Sequence, residues 1–131
     1  MTAGENIELV RRAFDRWNSG DREIRPDEVD DEVELHSVLL GGVVRGPEGF
    51  RRWFLEIDQQ FVEWRSEVAE LREVNPDRLL ALGRVHLRGR ESEVEFDQPM
   101  AWLVDFRDGK VIRLEMFPEH SKALKAAGLS E

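Results

Sequence analysis

Phe61-Val62-Glu63-Trp64-Arg65-Ser66-Glu67-Val68 decides the fold of this chain, because the spacing of its apolar residues changes there. Upstream, Phe50, Trp53, Phe54, Ile57 and Phe61 recur at threes and fours, the spacing of one helix face. From Val62 onward, Val62, Trp64, Ser66 and Val68 alternate with charged residues, the period of a strand whose two faces meet different surroundings. Helices therefore dominate before this stretch and strands after it.

Toward the N-terminus, Ile7, Val10, Ala13, Phe14 and Trp17 mark a first amphipathic helix that stops at Ser19-Gly20-Asp21. Pro26-Asp27-Glu28-Val29 suits a short helical turn, and 33–40 is a β-rich run ending at Gly41-Gly42. Arg45-Gly46-Pro47-Glu48-Gly49 then opens the aromatic helix, expected over 47–61. Toward the C-terminus, Asn75-Pro76-Asp77 supplies a turn. Strands are expected at 79–88, 93–97, 100–106 and 111–117, separated by Gly89 to Ser92, by Pro99, and by Arg107-Asp108-Gly109-Lys110. The Asp-Gly pair between two β-runs is a hairpin signal. A last helix starts near Glu119, carries Leu124 and Ala127, and closes at Gly128. This order predicts an α+β fold over 1–131 as one domain, with helices across the concave face of a curved antiparallel sheet and a pocket between them.

Composition narrows the function. The 131 residues include no cysteine, which removes disulfides, thiolate nucleophiles and Cys-ligated metals. Against 19 basic residues stand 28 acidic ones, and the net charge of -9 repels nucleic acid and anionic lipid. No apolar run approaches the ~20 residues needed to span a bilayer. Glu5, Glu8, Asp15 and Asp21 break up the start of the chain, so a cytoplasmic location is the expectation.

The first helix ending in Asn18-Ser19-Gly20-Asp21, the Arg45-Gly46-Pro47-Glu48-Gly49-Phe50 helix entry, the Phe106-Arg107-Asp108-Gly109-Lys110-Val111 hairpin and the Ala123-Leu124-Lys125-Ala126-Ala127-Gly128-Leu129 tail occur in this order. Together they resemble the SnoaL-like branch of the nuclear transport factor 2-like superfamily, over nearly the whole chain. The resemblance implies a cone-shaped cavity, which relatives use for isomerisation, dehydration, cyclisation, epoxide hydrolysis or plain binding. Ketosteroid isomerases of this fold use a tyrosine, a carboxylate base and a strand acid. The matching positions here fall near Ala13, at His36 and Ser37, and at Trp102, and the chain has no tyrosine. Epoxide hydrolases of this fold use an arginine and two aspartates, which match Arg84, His86 and Met116, so only the arginine is kept.

Arg84 and His86 lie two apart in a strand and so share a face. Facing inward, they would form the polar end of the pocket, imidazole moving a proton and guanidinium holding an oxyanion. Facing outward, they would join Arg88 as solvated or dimer-contacting residues. His36 is a further candidate acid–base group, with a backbone-bonded structural role as the alternative, and His120 suits a capping or surface position. Asp97 is the acid expected nearest the pocket mouth, while Glu115 is expected to face outward. Trp17, Trp53, Phe54, Gln98, Met100 and Trp102 are the expected pocket walls, suited to a small, flat apolar molecule; as a bare apolar stripe they would fill the core instead.

Three histidines without ligand spacing imply no metal, and nothing in the residues implies a cofactor. Arg113, Glu115 and Phe117 on the second sheet face suggest a homodimer. Two functions follow: a cofactor-independent acid–base enzyme of isomerase, cyclase, dehydratase or hydrolase type, or a non-catalytic ligand-binding or dimeric interaction domain.

Overall fold

The computed structural model describes residues 3–37, 42–92 and 94–129. Its elements are α1 (Ala3–Asn18), β1 (Val29–Ser37), β2 (Gly42–Arg45), α2 (Gly46–Gln60), β3 (Phe61–Asn75), β4 (Arg78–Gly89), β5 (Glu95–Arg107), β6 (Lys110–Phe117) and α3 (His120–Ala126). Gly20, at φ 93°, turns the chain out of α1. Proline in the first turn and Glu48 near the positive end of the dipole start α2. That helix passes into β3 without a loop, because Phe61 already has extended backbone at φ -124° and ψ 135°. The change of period at this residue is thus a change of backbone conformation.

One six-stranded sheet has the order β2-β1-β6-β5-β4-β3. Strands β3 to β6 form an antiparallel meander. Asp108 at φ 52° and Gly109 at φ 78° make the β5–β6 hairpin turn, positive at both central positions as the strand twist favours. The sheet as a whole is mixed, since β1 runs parallel to β6 with Leu35 opposite Leu114. Period-two alternation says which residues share a face and is silent on strand direction.

Pro99 also departs from the sequence expectation, lying inside a continuous β5 rather than breaking it. Strand β6 pairs with β5 only from Ala101 onward, so the missing N–H falls where that side of β5 has no neighbour. Pro26 to Glu28 form a turn, with the Glu28 and Val29 amides both donating to the Arg25 carbonyl. The expected 33–40 run is strand as far as Ser37, and its remainder lies outside the described residues.

The register of β3 against β4 shifts at three places, including between Val68 and Glu70, and such bulges bend a strand. Gly83 faces this region, where a Cβ would stand 1.8 Å from the Glu67 carbonyl oxygen. Only glycine admits so close an approach.

Each sheet face carries its own apolar cluster. On the inner face Val33, Leu35, Leu79, Val85, Trp102 and Val104 pack under Leu9 and Val10 of α1 and Phe50, Trp53 and Ile57 of α2. On the outer face Leu80, Leu82, Ala101, Leu103 and Phe117 pack under Ala123, Leu124 and Ala127 of α3 and the residue after it. His120 Nε2 lies 2.9 Å from the Gly83 carbonyl and 3.1 Å from that of Met100, holding α3 to the sheet.

Side chains tie both ends of α1. Near its start the fully buried Asn6 donates to the Pro76 carbonyl at 3.0 Å. At its end Asn18 donates to the Ser66 carbonyl at 2.8 Å and accepts from the Ser66 amide at 2.9 Å, while the Trp17 indole donates to the Trp64 carbonyl at 3.0 Å. Removing the Asn18 amide forfeits two hydrogen bonds at about 0.5–1.5 kcal/mol each. Asn18→Ala is therefore expected to lower stability by about 1–3 kcal/mol, read as a lower urea midpoint at unchanged slope. A midpoint equal to the parent's would show that the tie carries no stability.

Candidate functional site

Between α1, α2 and the inner sheet face lies a cavity of about 160 Å³. Helix α1 contributes Leu9, Val10, Ala13, Phe14 and Trp17 to its wall, and α2 contributes Trp53 and Phe54. The floor comes from Trp64 and Ser66 of β3, Trp102 and Val104 of β5, and Val111, Leu114 and Met116 of β6. These sheet residues share one face by register, since Trp102 opposes Met116 and Val104 opposes Leu114.

All four tryptophans of the chain are in this wall. Trp17 stacks near Trp53, with ring centroids 6.2 Å apart and planes 19° apart, and meets Phe54 at 5.0 Å. Phe14 sets its edge against Trp102 at 4.9 Å. Such edge and offset contacts hold rings more firmly than area burial alone, so the wall is preformed.

Polarity is almost absent from the cavity. Ser66 supplies the one side-chain hydroxyl in the wall, and none of the described residues lining it is ionisable. The Trp17 N–H is occupied by the Trp64 carbonyl, whereas the buried Trp53 N–H has no partner among the described residues, a cost on the order of 1–3 kcal/mol. A guanidinium does lie close by. Arg22 sits 3.6 Å from the centroid of the Trp17 ring but is engaged by the Trp17 carbonyl at 2.5 Å and by Asp58 at 3.4 Å, and it is not part of the wall.

Four of the expected wall residues, Trp17, Trp53, Phe54 and Trp102, line the cavity. Met100 is fully buried in the same apolar cluster without reaching the cavity. Gln98 is half-buried on the inner face opposite Val85, further along β5 and off the wall.

Arg84 and His86 do come together, but on the outer face, which corrects the expectation of a polar end to the pocket. The parity of β4 decides this: Leu79, Ala81, Val85 and Leu87 fill the inner cluster, leaving Arg84, His86 and Arg88 on the other side with Leu80 and Leu82. There Arg84 Nε lies 2.7 Å from Asp97 Oδ1, His86 Nδ1 2.7 Å from Asp97 Oδ2, and His86 Nε2 2.6 Å from Glu67 Oε2. Asp97 is thus committed to this network and is not at the pocket mouth.

His36 is also on the outer face, with Nε2 2.8 Å from Glu34 Oε1, while its neighbour Ser37 is buried. His120 holds α3, and Glu115 is half-buried on the outer side, bonded to Arg113 at 3.0 Å. Among the described residues no three His, Cys, Asp or Glu side chains are grouped to hold a metal, and no helix is long and apolar enough to cross a membrane. Sequence reading missed Ser66 and Trp64 as wall residues, although they alternate on one strand face directly after the aromatic helix.

The chain matches the family model of the SnoaL-like domain over residues 10–114. No functionally curated protein matches it. Among solved structures it is similar to a nuclear transport factor 2-like protein of unknown function from Burkholderia pseudomallei, at 14% identity and TM-score 0.78, covering 92% of this chain and 95% of that one. TerC, co-crystallised with polyporic acid, superposes with TM-score 0.77 at 18% identity over 95% of this chain and 98% of its own. A protein from Jannaschia sp. described as a SnoaL-like polyketide cyclase gives TM-score 0.73 at 19% identity, over 98% and 94% of the two chains.

On the outer face, the hydrogen bond from His86 holds the Glu67 carboxyl below the usual carboxylate range, aided by the charges of His86 and Arg65. A carboxyl lowered on folding contributes stability that is complete above its ordinary range and lost as pH falls through the lowered value. Melting temperature is accordingly expected to fall on acidification, and less steeply in Glu67→Gln. Parallel melting curves for the two proteins would show that this contact contributes nothing.

Proposed function

The chain belongs to the SnoaL-like domain family, and on that premise we propose that it is a small-molecule binding protein whose cavity takes a compact apolar ring compound and whose wall performs no acid–base chemistry. One observation carries this reading: among the described residues, the wall offers aromatic and aliphatic surface and no ionisable group. General acid–base catalysis needs a titrating side chain within hydrogen-bond reach of substrate. Arg84, His86 and His36, the residues that could have served, are paired with carboxylates on the other side of the sheet.

The cavity's size supports the same class of ligand. About 160 Å³ compares with the ~150 Å³ apolar cavities that stay dry and admit benzene. Co-crystallisation of TerC with polyporic acid supports small-molecule binding as a use of this architecture. The cyclase description of the Jannaschia protein is the support for an enzymatic alternative, and that alternative would need an acid or base other than the residues of this wall. We further propose that residues 1–131 act as one domain, in the cytoplasm, as a homodimer. The outer-face stretch of β3, β4 and β5 that carries Glu67, Arg84, His86 and Asp97 supports the dimer, because these residues are outside the apolar cluster under α3 and present charges of both signs that a two-fold axis can pair.

Toluene or indole is expected to raise the melting temperature by mass action and to change tryptophan emission, since every tryptophan is in the wall. Filling the cavity with Val104→Trp should abolish both effects, and Arg84→Ala or His86→Ala should leave them unchanged. Loss of binding in either of the latter two variants, or binding that survives Val104→Trp, would move the site elsewhere. Light scattering is expected to give twice the chain mass, falling toward the chain mass at high salt, where a charged interface is screened. A monomer at all concentrations would remove the dimer.

A further inference from the structure

We infer that Ser66 is the polar anchor of the cavity and that it selects an uncharged ring compound carrying a carbonyl oxygen over a hydrocarbon or a carboxylate. This rests on the binding reading above and adds to it the chemical class of the ligand.

Ser66 is 5% exposed and lies opposite Val85 on the inner face, in the cavity wall. Its backbone amide and carbonyl are both taken by the Asn18 side chain, at 2.9 Å and 2.8 Å. The main chain at this point therefore has nothing left for a ligand, and its position is fixed from outside the cavity. The hydroxyl makes no hydrogen bond to any described residue, although the residue is nine-tenths buried. Buried hydroxyls are normally satisfied, so one left open toward a cavity is matched by what the cavity holds. The hydroxyl can donate, and no other side chain of the wall offers it an oxygen or nitrogen acceptor. An acceptor brought by the ligand would.

Charge settles which acceptor. A carboxylate in this wall would lose its hydration with no cation to replace it, because the Arg22 guanidinium stacks on Trp17 and is engaged by Asp58 and the Trp17 carbonyl. The protein's own charge of -9 opposes anions further. A neutral carbonyl oxygen accepts the same hydrogen bond without that penalty.

Three probes of nearly equal shape separate the possibilities: acetophenone, α-methylstyrene in which =CH₂ replaces the carbonyl oxygen, and benzoate. Each is titrated against the full chain and against Ser66→Ala by tryptophan emission and calorimetry. The expected result is that Ser66→Ala binds α-methylstyrene as the parent does, which also shows that the variant is folded. Its affinity for acetophenone should fall about three- to tenfold, the range for one neutral hydrogen bond. Benzoate should bind neither protein. Equal affinities of parent and variant for acetophenone, or benzoate binding as tightly as acetophenone, would overturn the inference while leaving the cavity reading intact. Failure of both neutral probes to bind the parent would overturn that reading and the inference together.

Discussion

Everything around the cavity depends on how α1 is fastened to the free edge of β3. An outer strand presents amide and carbonyl groups with no neighbouring strand, and such an edge invites further pairing. Here the Asn18 side-chain amide meets one residue of that edge as a strand neighbour would, donating to its carbonyl and accepting from its amide. The adjacent Trp17 indole occupies the carbonyl of Trp64. Two consecutive helix residues thus protect the edge and set the height at which the helix lies above the sheet. Trp17 and Ser66 come to face one space because their neighbours and backbones are bonded to each other.

Polarity is partitioned by the sheet. With 36% of residues charged, the chain could easily have placed an ion inside. Strand parity instead puts Glu67, Arg84, His86 and Asp97 on the outer face, where they neutralise one another at hydrogen-bond distance. The cavity wall keeps tryptophans, other apolar side chains and one hydroxyl.

What could be read from residues alone was whatever is local. Three- and four-residue spacing located α1 and α2, the change of period at Phe61 located the passage into β3, and Asp108-Gly109 located a turn whose φ values are both positive. The curved sheet under helices and the family resemblance followed from the order of these signals. Long-range facts were not legible. That β1 runs parallel to β6 depends on a chain reversal with no local signature. The face of Arg84 and His86 depends on which parity of β4 meets the helices, and both parities carry apolar residues there, because α3 gives the outer side a core of its own. Ser66 looked like one more polar residue in an alternating strand. Its significance comes from Asn18, which is 48 positions away.

The outer cluster under α3 has a consequence for how this protein can change. A cavity is a region where substitutions are costly, since emptying or crowding it alters packing that supports the fold. In this chain part of the fold's support lies on the far side of the sheet, where Leu80, Leu82, Leu103 and Phe117 are sealed by a short helix latched through His120. Nothing that enters the cavity touches that layer. Mutations that reshape the cavity wall therefore draw on a reserve they do not deplete, and the wall can diversify without first acquiring compensating stability.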